Sequence, residues 1–189
     1  KQLNKLAFGY ENLPHMIERF KTSDPNKKQR LKQTAVQWLL AKTELIKTGY
    51  SDIPDTVSPN YPDILGGMFY YHYDPKTKDK LKQWDKFPLV IILEKYADGF
   101  LGLNLHYVSD NVRASLLTTL LNYRTYDPQR DIMKINARYK TLSTLKSIPD
   151  FKYCIKRYLT NQIRGKVLLI RPHEWGMAVM LPLQEFIQK

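Results

Sequence analysis

The stretch GMFYYHYDPKTKDKLKQWDKFPLVIILEKYADGFLGLNLHYV, residues 67–108, decides the fold. Three runs in it, 68–73, 87–93 and 100–108, are rich in aromatic and aliphatic residues and separated by turn signals, so each reads as a strand. Asp98-Gly99 joins the second run to the third as a tight hairpin. The connection 74–86 is long, polar and rich in lysine, and reads as a projecting loop. Asp74, Asp79 and Asp85 fall within it, a spacing that raises a magnesium site. They alternate with Lys76, Lys78, Lys80, Lys82 and Lys86, so the local field is not negative, and a solvated loop of mixed charge is the better reading.

Upstream, the spacing predicts a helix over 25–48. Asp24-Pro25 forms a cap and first turn, and Gly49 ends it. Leu31, Ala35, Trp38, Leu39, Leu45 and Ile46 make one apolar stripe, opposite Lys27, Lys28, Lys32, Lys42 and Lys47. Residues 51–65, with Pro54, Pro59 and Pro62, read as a linker. The division expected is therefore an N-terminal helical arm (1–50), a Pro-rich linker (51–65) and a β domain (66–189). The first residue is Lys1, not Met, and a preceding piece is expected to be missing or removed.

Downstream, Ser109 can cap a helix striped by Val112, Leu116, Leu117, Leu120 and Leu121. Asp127-Pro128 reads as the start of a second helix, with Ile132, Ile135 and Tyr139 on one side. Pro149-Asp150 reads as the start of a third, carrying Tyr153, Cys154, Tyr158 and Leu159. Residues 166–171 and 175–181 read as a closing pair of strands. Helix, three strands, helices and two strands give an α+β fold, not a parallel α/β sheet. The expectation is a small, bent, antiparallel SH3-like β-barrel with a helical insertion at about 109–160.

With 30 Lys+Arg against 18 Asp+Glu, the 189-residue chain carries a net charge of +12, which points to DNA, RNA or an acidic protein surface. The excess is uneven: net +4 over 1–60, −1 over 61–110 and +9 over 111–189. A 43% apolar content with 12% aromatics suffices for a core. One cysteine excludes an internal disulfide framework and any site of several thiolates. No run approaches the roughly 20 apolar residues of a membrane span, and 1–10 lacks the apolar stretch of a secretory signal.

The search for chemistry is mostly empty. His173-Glu174 begins like a zinc-protease helix, but the second histidine would fall at Met177. His72 and His106 lie in neighbouring predicted strands without a carboxylate at motif spacing, so structural or surface roles are preferred. Cys154 has Lys156 and Arg157 nearby, which suits a reactive thiolate, yet a buried helical cysteine is the commoner outcome. A nuclease pattern fails because Lys95 follows Glu94 one position too early, and Gly66-Gly67 alone is no nucleotide loop. No catalytic residue, metal ligand or cofactor is assigned.

The basic third offers more. Between Arg113 and Arg171 stand seven Arg and six Lys against three acids, interleaved with Tyr123, Tyr126, Tyr139, Tyr153 and Tyr158. Phosphates take cations and unstacked bases take flat faces, so the mixture suits nucleic acid; a solvated helical face or an acidic protein partner are the alternatives. The contact residues expected are Arg113, Arg124, Arg130, Arg138, Lys140, Lys146, Lys152, Lys156, Arg157, Arg164 and Arg171. For the arm, Lys27, Lys28, Lys32 and Trp38 are expected to dock onto a partner.

Residues 67–108 also resemble a family of T-even-like tailed-bacteriophage virion assembly proteins. The pattern is carried by Gly67-Met68-Phe69, Tyr73-Asp74-Pro75-Lys76, Asp85 with Phe87-Pro88-Leu89, and Gly99-Phe100 with Gly102, Asn104, His106 and Tyr107. Pro172-His173-Glu174-Trp175 and Leu181-Pro182 resemble its C-terminus, and Lys82-Gln83-Trp84 departs from its pattern. The resemblance covers about 30–188 and implies a DNA end protector or head-completion role. The residues also explain themselves as structure: Gly99 and Gly102 for turn or bulge geometry, and Asn104 with His106 as a polar pair on one sheet face. The expectation is a non-enzymatic virion protein, present in symmetric copies near the head–tail junction and in the host cytoplasm during assembly. Its partners would be other virion proteins and double-stranded DNA, with no membrane. Two alternatives stand beside it: a baseplate or tail component that binds only protein, and an SH3-barrel ribonuclease of toxin-like type using His72 and His106.

Overall fold

The computed structural model describes residues 13–48, 56–57, 65–81, 84–136 and 151–182. Two helices come first, α1 (Leu13–Thr22) and α2 (Pro25–Thr48). The second has the expected bounds: the Asp24 carboxylate accepts from the Lys27 amide at 3.0 Å, satisfying one of the orphan donors of the first turn. The first was not foreseen, although Leu13, Ile17 and Phe20 repeat at helical spacing and are all buried.

The sheet is antiparallel, built from β1 (Thr56–Val57), β2 (Met68–Tyr73), β3 (Leu89–Tyr96), β4 (Gly99–Asn104), β7 (Ile155–Leu159) and β8 (Ile163–Leu169). Its order is β1-β8-β2-β3-β4-β7, so it has two edges and is an open sheet, not the expected closed barrel. Register shifts in the β2–β8 pair between Tyr70 and His72, and in the β3–β4 pair between Ile92 and Glu94, break the ladders locally. Such bulges bend a sheet without closing it. The α+β class stands.

Alternation sorts the strands onto two faces. Met68, Tyr70, Leu89, Ile91, Leu93, Leu103 and Leu168 join the helices in the main core. The helices are α1, α2, α3 (Asp110–Leu120) and α5 (Trp175–Met180). The opposite face holds a second cluster of Phe69, Tyr71, Tyr73, Val90, Ile92, Phe100 and Tyr158. Its rings meet edge to face, Tyr71 and Tyr158 at 5.7 Å and Tyr73 and Tyr158 at 5.0 Å.

Three expected elements differ. Asp127-Pro128 opens no helix: β5 (Arg124–Asp127) and β6 (Ile132–Ile135) form a hairpin. The Asp127 carboxylate accepts from the amides of Gln129 and Arg130, the bond pattern of a helix cap spent instead on a turn, which Asp131 completes at φ 48°. After Pro149-Asp150, only α4 (Phe151–Cys154) is helical; the chain then extends as β7 because β4 offers it an open edge. The insertion over 109–160 therefore contributes a strand to the sheet. Finally, 175–181 is no strand. Pro172 starts a 3-10 turn that runs into α5, and Trp175, Gly176, Ala178, Val179 and Met180 are buried there.

Helix α2 packs through Ala35, Leu39 and Thr43, four residues apart on one side. Trp38 and Lys32, expected to dock onto a partner, make contacts within the chain. The Trp38 indole donates to Glu174 at 3.0 Å, and Lys32 pairs with Asp110 at 2.7 Å. Lys42 reaches the same Glu174 carboxylate at 2.6 Å. Lys28 lies over the Phe20 ring and Lys27 is exposed.

Candidate functional site

Strand β7 ends the sheet; along it Lys156 is half-buried, Arg157 exposed and Tyr158 buried. The Lys156 ammonium stands 4.8 Å above the Tyr107 ring. Burial lowers its pKa from the ordinary lysine value. Arg157 covers the Tyr96 ring at 4.2 Å and pairs with the Asp98 carboxylate. Gly99 lets β7 come this close: a Cβ there would collide with the Tyr158 carbonyl oxygen. Its φ is not positive, so the residue serves approach and not turn conformation.

The loop between β2 and β3 faces β7 across a cavity of about 360 Å³. Tyr73, Pro75, Lys76, Thr77, Leu81, Trp84 and Asp85 line one side, and Tyr107, Lys156, Arg157, Tyr158 and Leu159 the other. Among the described residues, nothing forms a hydrogen bond or ring contact with the half-buried Trp84.

Below the cleft lies a polar network. Asp85, expected to be solvated, is buried and accepts from the Phe87 amide at 2.9 Å, from Asn104 Nδ2 at 3.1 Å and from His106 Nδ1 at 2.8 Å. Asn104 also donates to the Tyr158 hydroxyl at 3.1 Å and accepts from the His106 amide at 2.9 Å. The expected polar pair of Asn104 and His106 thus exists, but His106 lies in a 3-10 turn after the strand and the pair is bridged by Asp85. Three donors hold the Asp85 carboxylate in place, and its negative charge adds to burial in raising the phenols of Tyr107 and Tyr158. Burial raises the phenols of Tyr73, Tyr107 and Tyr158, so these rings stay neutral. The accessible charge belongs to Lys76, Lys156 and Arg157.

Leu81 and Trp84 separate this cleft from a polar cavity of about 420 Å³ lined also by His72, Asp74, Lys78, Asp79 and Lys86. There Lys78 and Arg164 hold Asp74 at 3.0 and 2.9 Å, and His72 stacks on Phe87 with centroids 5.1 Å apart. Burial, then Lys86, lower the His72 pKa.

Of the expected contact residues, the fold brings Lys156 and Arg157 together at the cleft and Arg164 to the neighbouring cavity. Arg113 is a correction: it is fully buried, its guanidinium donating to main-chain carbonyls. Arg171 bonds the carbonyls of Arg130 and Asp131, fastening the hairpin, and Arg124 bonds that of Leu121. Arg138, Lys140 and Lys146, and the side chain of Lys152, lie outside the described residues, as does Tyr139. Tyr73, Lys76, Trp84 and Tyr107 were missed; the signal was the interleaving of lysines with Trp84 in 74–86, read as solvated loop. Cys154 is buried. Among the described residues no histidine, cysteine and carboxylate cluster could hold a metal, and no helix is long and apolar enough to cross a membrane.

Chemically, the cleft offers neutral aromatic walls beside cations, the combination that takes a base and its phosphate. Residues 18–189 match the family described as Phage T4 terminal DNA protecting protein. Neither the curated proteins nor the solved structures give a significant match.

Proposed function

The chain belongs to the phage T4 terminal DNA protecting protein family, and from that premise we propose that it is a structural phage protein that binds the ends of virion DNA without catalysing a reaction on them. The observation that carries this reading is the cleft on the free edge of the sheet, where Lys76, Lys156 and Arg157 rim walls of Trp84 and Tyr107. A protector holds an end and blocks access to it. Cations supply the attraction to phosphate, and flat faces suit bases that no longer stack on a neighbour. In the particle the protein sits near the head–tail junction as one of several copies, against other virion proteins.

The ribonuclease reading gains no support from the geometry. It needs His106 as an accessible acid or base, and His106 is 1% exposed and bound to Asp85 and Asn104. Exonuclease digestion of linear and circular DNA with the purified protein tests the proposal. Linear DNA should survive in proportion to bound protein, and binding should fall steeply as salt rises. Unprotected ends together with a salt-independent affinity would overturn it and favour a component that meets only acidic protein.

A further inference from the structure

The property that distinguishes a DNA end from the rest of the duplex is its last base, which has a stacking neighbour on one side only. An interior base has two, and it leaves the stack only at a substantial cost. A site that accepts a single unstacked nucleotide would therefore recognise ends without reading sequence.

The cleft has the dimensions and chemistry of such a site. Its 360 Å³ lies at the small end of the roughly 300–1,000 Å³ typical of ligand pockets, the scale of a single nucleotide. Trp84 lines it with no ring or hydrogen-bond partner among the described residues, so an aromatic surface is left for an occupant. The Tyr107 ring is already covered by the Lys156 ammonium, which fixes that cation within the cleft. Lys76 lines the opposite wall, exposed and without a carboxylate partner among the described residues. Asp85, the one carboxylate of the lining, is buried and engaged by three donors, so its oxygens are occupied and do not select a base edge.

We propose that this cleft holds one unpaired terminal nucleotide of the DNA, its base against Trp84 and its phosphate between Lys76 and Lys156. The assignment rests on the DNA-end reading above and adds the ligand class and the source of end preference. Because the contacts assigned are to a ring face and a phosphate, which every nucleotide has, any of the four bases is accommodated.

The test compares three duplexes of one sequence: closed by hairpin loops at both ends, blunt, and bearing a one-nucleotide overhang of 2-aminopurine, tried on either strand. The overhang duplex should bind tightest and the closed one weakest, and the 2-aminopurine emission should be quenched on binding. Trp84→Ala should weaken overhang binding about tenfold and closed-duplex binding by much less. Trp84→Leu, which keeps apolar bulk in the wall, should do the same if the variant with alanine misfolds. Lys156→Gln should reduce the salt slope by about one. Equal affinity for closed and open duplexes, or an overhang affinity indifferent to both Trp84 variants, overturns the assignment and leaves the DNA-binding reading standing. Absence of binding to every duplex overturns the DNA-end reading. If thymidine monophosphate still quenches fluorescence in the wild type and not in Trp84→Leu, the nucleotide pocket is nonetheless upheld.

Discussion

Replacing Arg113 by methionine should destabilise the protein strongly and leave its affinity for DNA untouched. The side chain is fully buried, and its Nε donates to the Leu105 carbonyl at 3.0 Å and its Nη2 to that of Val108 at 2.6 Å. Nη1 reaches the carbonyls of Ala178 at 2.9 Å, Val179 at 3.2 Å and Leu181. Burial lowers the guanidinium pKa to about 10, so it stays charged at neutral pH. Removing the charged donor from these buried carbonyls is strongly destabilising, and a loss of about 3–5 kcal/mol is expected. For a chain of this size, each kcal/mol moves the midpoint by about 2–4 °C, so the melting temperature should fall by on the order of 10 °C. Calorimetry gives the shift, and salt-dependent DNA binding at 15 °C gives the second readout. A melting temperature within about 2 °C of the wild type would refute the clamp. A lost salt slope in a folded variant would restore Arg113 as a phosphate contact.

Gly66→Ala should cost about 2 kcal/mol, since φ is +78° there and a Cβ would lie 2.5 Å from the Ile135 carbonyl oxygen. The Ile135 amide donates to the Gly66 carbonyl at 2.8 Å, so faster hydrogen exchange at Ile135 is the direct check, and unchanged protection would contradict it. For Glu174, burial raises the pKa, but the bonds from Lys42 and Trp38 outweigh it and the net shift is downward. A depressed carboxylate stabilises the fold above its unfolded value of 4.5 and loses that contribution as pH falls through the lower folded value. Glu174→Gln should therefore lower stability by about 1–2 kcal/mol at pH 7 and flatten the acid limb of the melting curve; an acid limb of wild-type steepness would count against it. Asp85→Ala strips three donors of their acceptor and should cost about 2–4 kcal/mol, read by urea unfolding; a neutral result would show that the network is dispensable.

The sequence reading was strongest where pattern and packing agree. Helix α2 and the strands of 67–104 could be read because their periodicity reports a face that is in fact buried against other elements of the same chain. Asp127-Pro128 misled because an aspartate cap and an Asx turn make the same first hydrogen bonds, and only the partner strand decides between them. The strand at 155–159 was hidden because its outward residues are cations whose environment is set by β4, a neighbour distant in sequence. Charge counting located the basic third but could not separate Arg113, turned into the core, from Arg157, turned outward. The cleft itself draws on three separate stretches, around 73–85, at Tyr107 and at 156–159, which no local window brings together.

The clamp on the C-terminal segment also bears on when the protein can fold. Trp175, Ala178, Val179, Met180 and Leu181 complete the core shared with α1, α2 and α3; the carbonyls of Ala178, Val179 and Leu181 hold Arg113, and Glu174 just before them holds Trp38. During synthesis the earlier helices and strands emerge while that segment is still unmade, with their apolar faces uncovered and a guanidinium lacking its acceptors. The nascent chain is then at its most adhesive, and cover for those faces is needed until the segment around Trp175 emerges.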